Sequence, residues 1–282
     1  MSETSPPSRW LYRLVSWHEL RLMLGNLALI TVLLVMGSLL SRVNSGAVLA
    51  GWTLLWLPLL LLLYWRRRMA RLAWLRVHLR DGSPWYARLR GGILMLLGQA
   101  LVAGVLALAL LISLARGVPP STWIVLVLFV PVWAMAWSGL GRYLRRHASA
   151  EFLPLTAART LVRVSGAVLL LGLATWGLWR PLPDLGAMTL HEAVRHLAGR
   201  QEAQSPFLAH LLAFAAALDG VRHWLAQHWF DGLPGMALQF LAWVVVLVRE
   251  WLFIWPYLLL CEALSHVACG HDYRDEPQPS GT

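Results

Sequence analysis

Apolar residues run along the 282-residue chain in six blocks, about 22–40, 47–65, 92–115, 123–141, 164–179 and 236–260. Each is long enough, or nearly so, to cross ~30 Å of hydrocarbon as a helix, the form in which a single segment satisfies its own backbone polar groups. The polar segments between the blocks alternate in charge. "RRRMARLAWLRVHLRDGSPWYARLR" after the second block carries eight Arg and one acid, and "RYLRRHASAEFLPLTAARTLVR" after the fourth carries five Arg. Arg9, Arg13 and Arg21 precede the first block, whereas "SRVNSG" and "ARGVPPST" hold one Arg each. Basic flanks are retained on the cytoplasmic side. The pattern therefore predicts an all-α polytopic membrane protein of six transmembrane helices with both termini inside. Trp52, Trp65, Trp123, Trp176 and Trp179 fall near predicted span ends, where indole rings prefer the headgroup region.

Two further helical patterns lie outside the spans. Trp10, Leu14 and Trp17, flanked by Arg9 and Arg13, predict an amphipathic helix on the cytoplasmic leaflet. Between the fifth and sixth spans, Thr189 and Glu192 have capping-box spacing, with Leu190, Val194 and Leu197 on one face. Ser205 and Pro206 then start a second helix, on which Phe207, Leu211, Phe214, Leu218, Val221 and Leu225 follow at steps of four and three. Segment 181–235 is thus an external helical hairpin. Its core "FLAHLLAFAAAL" is too short to cross the bilayer, so it lies on the surface, re-enters partway or packs on its neighbour.

The chain divides accordingly into a cytoplasmic segment 1–21 and a five-helix region 22–180 with Arg-rich cytoplasmic loops at 66–91 and 142–163. The external segment 181–235, a sixth span with its juxtamembrane helix at 236–268 and a polar cytoplasmic tail 269–282 follow. Pro58, Pro131 and Pro256 fall within the second, fourth and sixth spans, where each removes an intrahelical hydrogen bond.

Composition sharpens the class. The chain is 58% hydrophobic and only 13% charged, too apolar for a soluble domain. Its net charge of +10 would suit nucleic acid, but the basic residues cluster beside apolar runs as topology determinants, so no nucleic-acid partner is expected. All 24 basic residues are Arg, a trait of the host genome rather than of a mechanism. Two cysteines, Cys261 and Cys269, without a Cys-x-x-Cys, give neither a disulfide framework nor a thioredoxin-like centre. The N-terminus lacks the order of a signal peptide, so the first span is expected to remain in the mature protein.

Candidate chemistry is sparse. Gly-x-Ser-x-Gly, Walker A, His-Glu-x-x-His and Gly-x-Gly-x-x-Gly are all absent from the sequence. Glu192 with His196, Asp219 with His223, and Glu262 with His266 each stand at i, i+4 on one helix face. The bland reading of such pairs is helix stabilisation. The first two pairs are both external, however, and in a hairpin they could gather two carboxylates and two imidazoles around zinc or iron. The third lies on the cytoplasmic side and reads as an ordinary helix contact. "CEALSHVACGHD" gathers two Cys and two His but lacks paired short ligand spacings.

Arg249 and Glu250 stand near the midpoint of the expected sixth span, where each charge costs at least ~2.5 kcal/mol. Neighbouring residues point about 100° apart on a helix, so the two do not simply neutralise one another. Among the other spans only uncharged partners offer themselves, chiefly Asn26 and Gln99, together with carbonyls freed at Pro256. These five residues are the candidate transport, gating or helix-clamp positions. The layout of surface helix, six spans, cytoplasmic loop and external helical loop resembles the permease half of a class of ATP-driven exporters, in arrangement alone. The reading is a bacterial inner-membrane, permease-like or assembly subunit without its own catalytic centre or cofactor. Its partners would be lipid and other subunits, such as a cytoplasmic ATPase or a second copy. A metalloenzyme using Glu192, His196, Asp219 and His223, and a structural scaffold, are the alternatives.

Overall fold

A computed structural model of the chain describes residues 17–78, 92–144, 153–178, 185, 188–199, 203–230 and 236–269, to which every structural statement below refers. The expected surface helix around Trp10 and Leu14 and the tail beyond 269 lie outside them. The described residues form eight α-helices and no strand: α1 (Trp17–Leu39), α2 (Ser45–His78), α3 (Ile93–Ala115), α4 (Pro120–Leu144), α5 (Leu153–Leu178), α6 (Leu190–Ala198), α7 (Pro206–Phe230) and α8 (Met236–Cys269).

Six stretches are long and apolar enough to cross a membrane: Glu19–Arg42, Ser45–Leu75, Ile93–Ala115, Pro120–Leu144, Thr156–Trp176 and Leu247–Ala268. Their outer faces are apolar and exposed, as at Leu61, Leu101, Leu128 and Leu171, which is the surface that lipid solvates. The short connections are built by local chemistry. Asn44 caps α2, its Oδ1 accepting from the Ala47 amide at 2.9 Å. α3 ends at Gly117, whose φ of +80° only glycine adopts freely, and Pro120 opens α4 as its first residue.

α8 is the central helix, packed against α5, α1, α3, α2 and α7. Ile254, Tyr257, Leu258, Leu259 and Cys261 bury its inner half in a continuous core with Leu59, Leu110, Leu126, Trp133 and Val162. Indoles tie α2 to α3: Trp52 Nε1 donates to the Gly104 carbonyl at 3.1 Å and Trp56 Nε1 to that of Ala100 at 2.9 Å.

One expectation needs correction. The Arg-rich segments 66–91 and 142–163 are not wholly loops, because α2 continues to His78 and α5 begins at Leu153. Arg is a good helix former whose long stem reaches toward the headgroups, so charge ends an apolar span without ending the helix. The sixth span belongs to a single helix, α8, which runs without interruption from Met236 to Cys269. Arg249 and Glu250 stand in the interior of that helix, between three and four turns from its start, and Glu262 lies more than three turns further on.

α7 turns inward a face other than its most regular apolar stripe. The stripe through Phe207, Phe214 and Leu218 is exposed, Phe214 by 66%. The face turned inward is Leu208, Leu212, Ala215, Ala216, Asp219 and Arg222. α7 is apolar nearly all round, so periodicity does not choose its buried face; small residues and charge do. A Cβ on Gly220 would lie 2.8 Å from Val194 Cα and 3.1 Å from the Ala193 carbonyl oxygen, so α6 and α7 touch backbone to backbone there.

Candidate functional site

α7 lies against one end of the bundle. Ser205 caps it, accepting from the Leu208 amide at 3.3 Å, and its hydroxyl also meets that of Ser45 at the start of α2, 2.9 Å away. The Gln204 amide reaches the Ser41 carbonyl at 3.4 Å. From this anchor Leu208 and Leu212 enter the bundle core, and three turns further on Asp219 and Arg222 arrive beside α3 and α8.

There they meet the two charges of α8. Arg249 Nε stands 3.4 Å from Asp219 Oδ1, and Arg222 Nη1 stands 3.8 Å from Glu250 Oε1. Arg116, presented just past the end of α3 by the Gly117 turn, pairs through Nη2 with the other Asp219 oxygen. Arg249 Nη1 also comes within 3.8 Å of Glu250 Oε1, because its long side chain bends across the angle between the two positions. The order is an alternating chain, Arg116, Asp219, Arg249, Glu250, Arg222, which joins α3, α7 and α8. Asp219 and Arg222 are buried, while the Arg249 side chain is 41% exposed and marks the open edge.

Crowded cations set the electrostatics. Burial first, and then the neighbouring Arg249 and Arg222, push Arg116 down to about 10, which leaves it a cation at neutral pH. His223, half-buried beside the cluster, is pushed down to about 4 by burial and then by Arg222, Arg249 and Arg116. It is neutral at physiological pH, and its buried Nδ1 has no hydrogen-bond partner.

The remaining sequence candidates lie elsewhere. Asn26 is buried in α1 and donates to the Leu22 carbonyl at 2.8 Å; Gln99 is half-buried in the first turns of α3. Both sit roughly 20 Å along their helices from the end that carries Arg116, so neither serves Arg249. Pro256 is buried in α8, two turns beyond Arg249. Glu192 closes a capping box with Thr189, whose backbone and hydroxyl donors hold its carboxyl below the usual range. It and His196 are exposed on α6, while Asp219 is occupied by two guanidinium groups. Among the described residues no group of three or more His, Cys, Asp or Glu side chains is placed to hold a metal ion.

A second ionic cluster was not singled out from sequence. Glu262 is fully buried in α8 near the opposite end of the bundle, its Oε1 3.2 Å from Arg66 Nε of α2 and 3.6 Å from His266 Nε2. His266 is flanked by the rings of Trp65 at 4.8 Å and Trp137 at 5.3 Å. Beside it Trp133 Nε1 donates to Ser265 Oγ at 3.2 Å. The available signal was the acid itself, once the sixth helix is seen to continue past 260 to Cys269.

Five membrane-length apolar helices together with a central sixth that carries Arg249, Glu250 and Glu262 are the architecture of a multi-pass helical membrane protein. Comparison with protein-family models, curated proteins and solved structures finds no match for the chain.

Proposed function

We propose that the chain is a non-catalytic, permease-like subunit of a bacterial inner-membrane transport or envelope complex, in which α7 is a lid clamped over one end of the helix bundle. The observation that carries this reading is the charge chain. Asp219 and Arg222 of the lid meet Arg249 and Glu250 of the central helix, and Arg116 braces the pair from α3. Ionisable side chains within a membrane-length apolar helix are costly to place there and usually mark a path or a gate. The Arg pattern puts α7 outside and the Arg66 end in the cytoplasm, where a partner ATPase or a second copy would dock. The exposed Phe207, Phe214 and Leu218 would rest in the outer leaflet beside the bundle.

Chromosomal replacement tests the proposal. Arg249→Leu and Glu250→Gln should reach wild-type membrane levels yet reproduce the phenotype of a deletion. Full function with Arg249→Leu would reduce the clamp to a scaffold. Stoichiometric zinc or iron in purified protein, lost on His196→Ala and His223→Ala, would replace the proposal with a metalloenzyme.

A further inference from the structure

The cluster at the Arg66 end differs from the lid cluster in one respect. Glu262 has no exposed surface, and among the described residues neither of its oxygens has a hydrogen-bond partner. Arg66 Nε and His266 Nε2 are near in distance, but both are themselves without a hydrogen-bond partner. A buried carboxylate is ordinarily satisfied by several donors, and an unsatisfied one points to a function.

The surroundings narrow what the site can take. α4 contributes the indoles of Trp133 and Trp137, α2 contributes Trp65 and Arg66, and α8 itself contributes Tyr257, Cys261 and Ser265. From α5, Arg159 and Arg163 act on Arg66. α1 brings Glu19 and Arg21 to the same end of the bundle, and α3 has no titratable side chain within its helix. Among the described residues, a single acid beside one imidazole and one guanidinium, walled by aromatic rings, lacks the oxygen ligands a metal cation needs. It has what a proton needs: an acceptor and a relay. His266 is the relay, since its side chain is 23% exposed while Glu262 is sealed.

We propose that Glu262 is a proton-binding site, loaded from the surface through His266 and held ionised by Arg66. A proton taken from water by His266 passes from Nε2 to Glu262 Oε1. One N–H bond breaks, one O–H bond forms and the imidazole returns to neutral, so the net change is the uptake of one proton. The neutral carboxyl no longer holds Arg66. Its guanidinium, next in sequence to Arg67 and Arg68, turns to the headgroups, and the ionic tie between α2 and α8 opens. α8 also carries Arg249, about 20 Å along the same helix. The proton site stands on the geometry of Glu262 and does not require that α7 act as a gate.

The test is modification by dicyclohexylcarbodiimide, which adds to protonated carboxyl groups in apolar surroundings, applied to the full-length protein in native membranes and quantified by peptide mass spectrometry. Adduct at Glu262 should fall about tenfold per pH unit above its titration point. Arg66→Gln should move the curve to higher pH, because losing the cation favours the neutral acid, and Arg66→Lys should return it toward the wild-type position. His266→Gln should leave the curve in place and slow its approach to equilibrium. Adduct that is absent or constant from about pH 5 to 9 in protein that stays monodisperse would overturn the proposal, as would a curve that Arg66→Gln leaves unmoved. If Arg66→Gln does not fold, the wild-type titration and Arg66→Lys decide.

Discussion

Arg249 of α8 and Asp219 of α7 face one another with Nε 3.4 Å from Oδ1, and the second Asp219 oxygen is held by Arg116 of the α3 end. One carboxylate thus neutralises two guanidinium groups from two different helices. Taking away its charge leaves both cations facing each other, whereas taking away Arg249 leaves Asp219 paired with Arg116. Removing one partner of a buried ion pair costs on the order of 3 kcal/mol, so Asp219→Asn should destabilise by about that much and Arg249→Leu by roughly a third of it. Chemical denaturation of the purified protein in mild detergent, read by Trp fluorescence, gives both values; equal costs would contradict the shared-carboxylate arrangement.

Gly220 sets how closely the hairpin closes. An added Cβ would meet the backbone of Val194 and Ala193 rather than a side chain that can move aside. Gly220→Ala should therefore separate α6 from α7 at a cost of about 1–3 kcal/mol. Limited proteolysis should show faster cleavage around residues 199–205 with the spanning helices intact.

Gly117 has a parallel role on α3. Its Cβ would meet nothing within 4 Å, so the penalty of Gly117→Ala is that of a positive φ alone, about 1–2 kcal/mol. Because this turn presents Arg116, the substitution should weaken the Asp219 pair as well. In a double-mutant cycle with Arg116→Gln the two losses should be less than additive, and simple additivity would show that the turn does not position Arg116.

His223 makes the lid sensitive to acid. Its protonation point is depressed from the usual 6.5 to about 4 in the folded protein, so between those values the unfolded chain binds the proton and the folded chain does not. Stability contributed by the neutral ring is fully present above pH 6.5, declines as pH falls and is gone below about 4. His223→Gln should remove that part of the pH dependence, seen as a smaller difference between unfolding midpoints at neutral and mildly acidic pH. An unchanged difference would mean that the ring is not held neutral.

The six spans and the helix starts at Thr189 and Ser205 were legible because apolar length and capping residues act locally. The partner of Arg249 was not, because Asp219 lies outside the spans, on a helix whose visible stripe runs through Phe207, Phe214 and Leu218. The face that packs is set by Ala215, Ala216 and Gly220, which permit close approach, and by Asp219 and Arg222, whose opposite signs one turn apart complement Arg249 and Glu250. That complementarity is written in the sequence but has meaning only once α7 is beside α8. Glu262 escaped for a related reason. With the sixth span ended at 260 it read as a cytoplasmic acid paired to His266, and its burial against Arg66 depends on where α2 and α8 meet.

The central claim, that the charge chain holds α7 shut over the bundle, is tested most directly by thiol accessibility just beneath it. Ile254 is buried on α8 about 7 Å along the helix from Arg249. Ile254→Cys, in a background of Cys261→Ala and Cys269→Ser, would be exposed to a membrane-impermeant maleimide from the α7 side in sealed vesicles. With the clamp intact the thiol should stay protected, and with Asp219→Asn added it should label at least tenfold faster while the protein remains monodisperse. Equal protection in both would contradict the account and leave Arg249, Asp219, Glu250 and Arg222 as a static joint between helices.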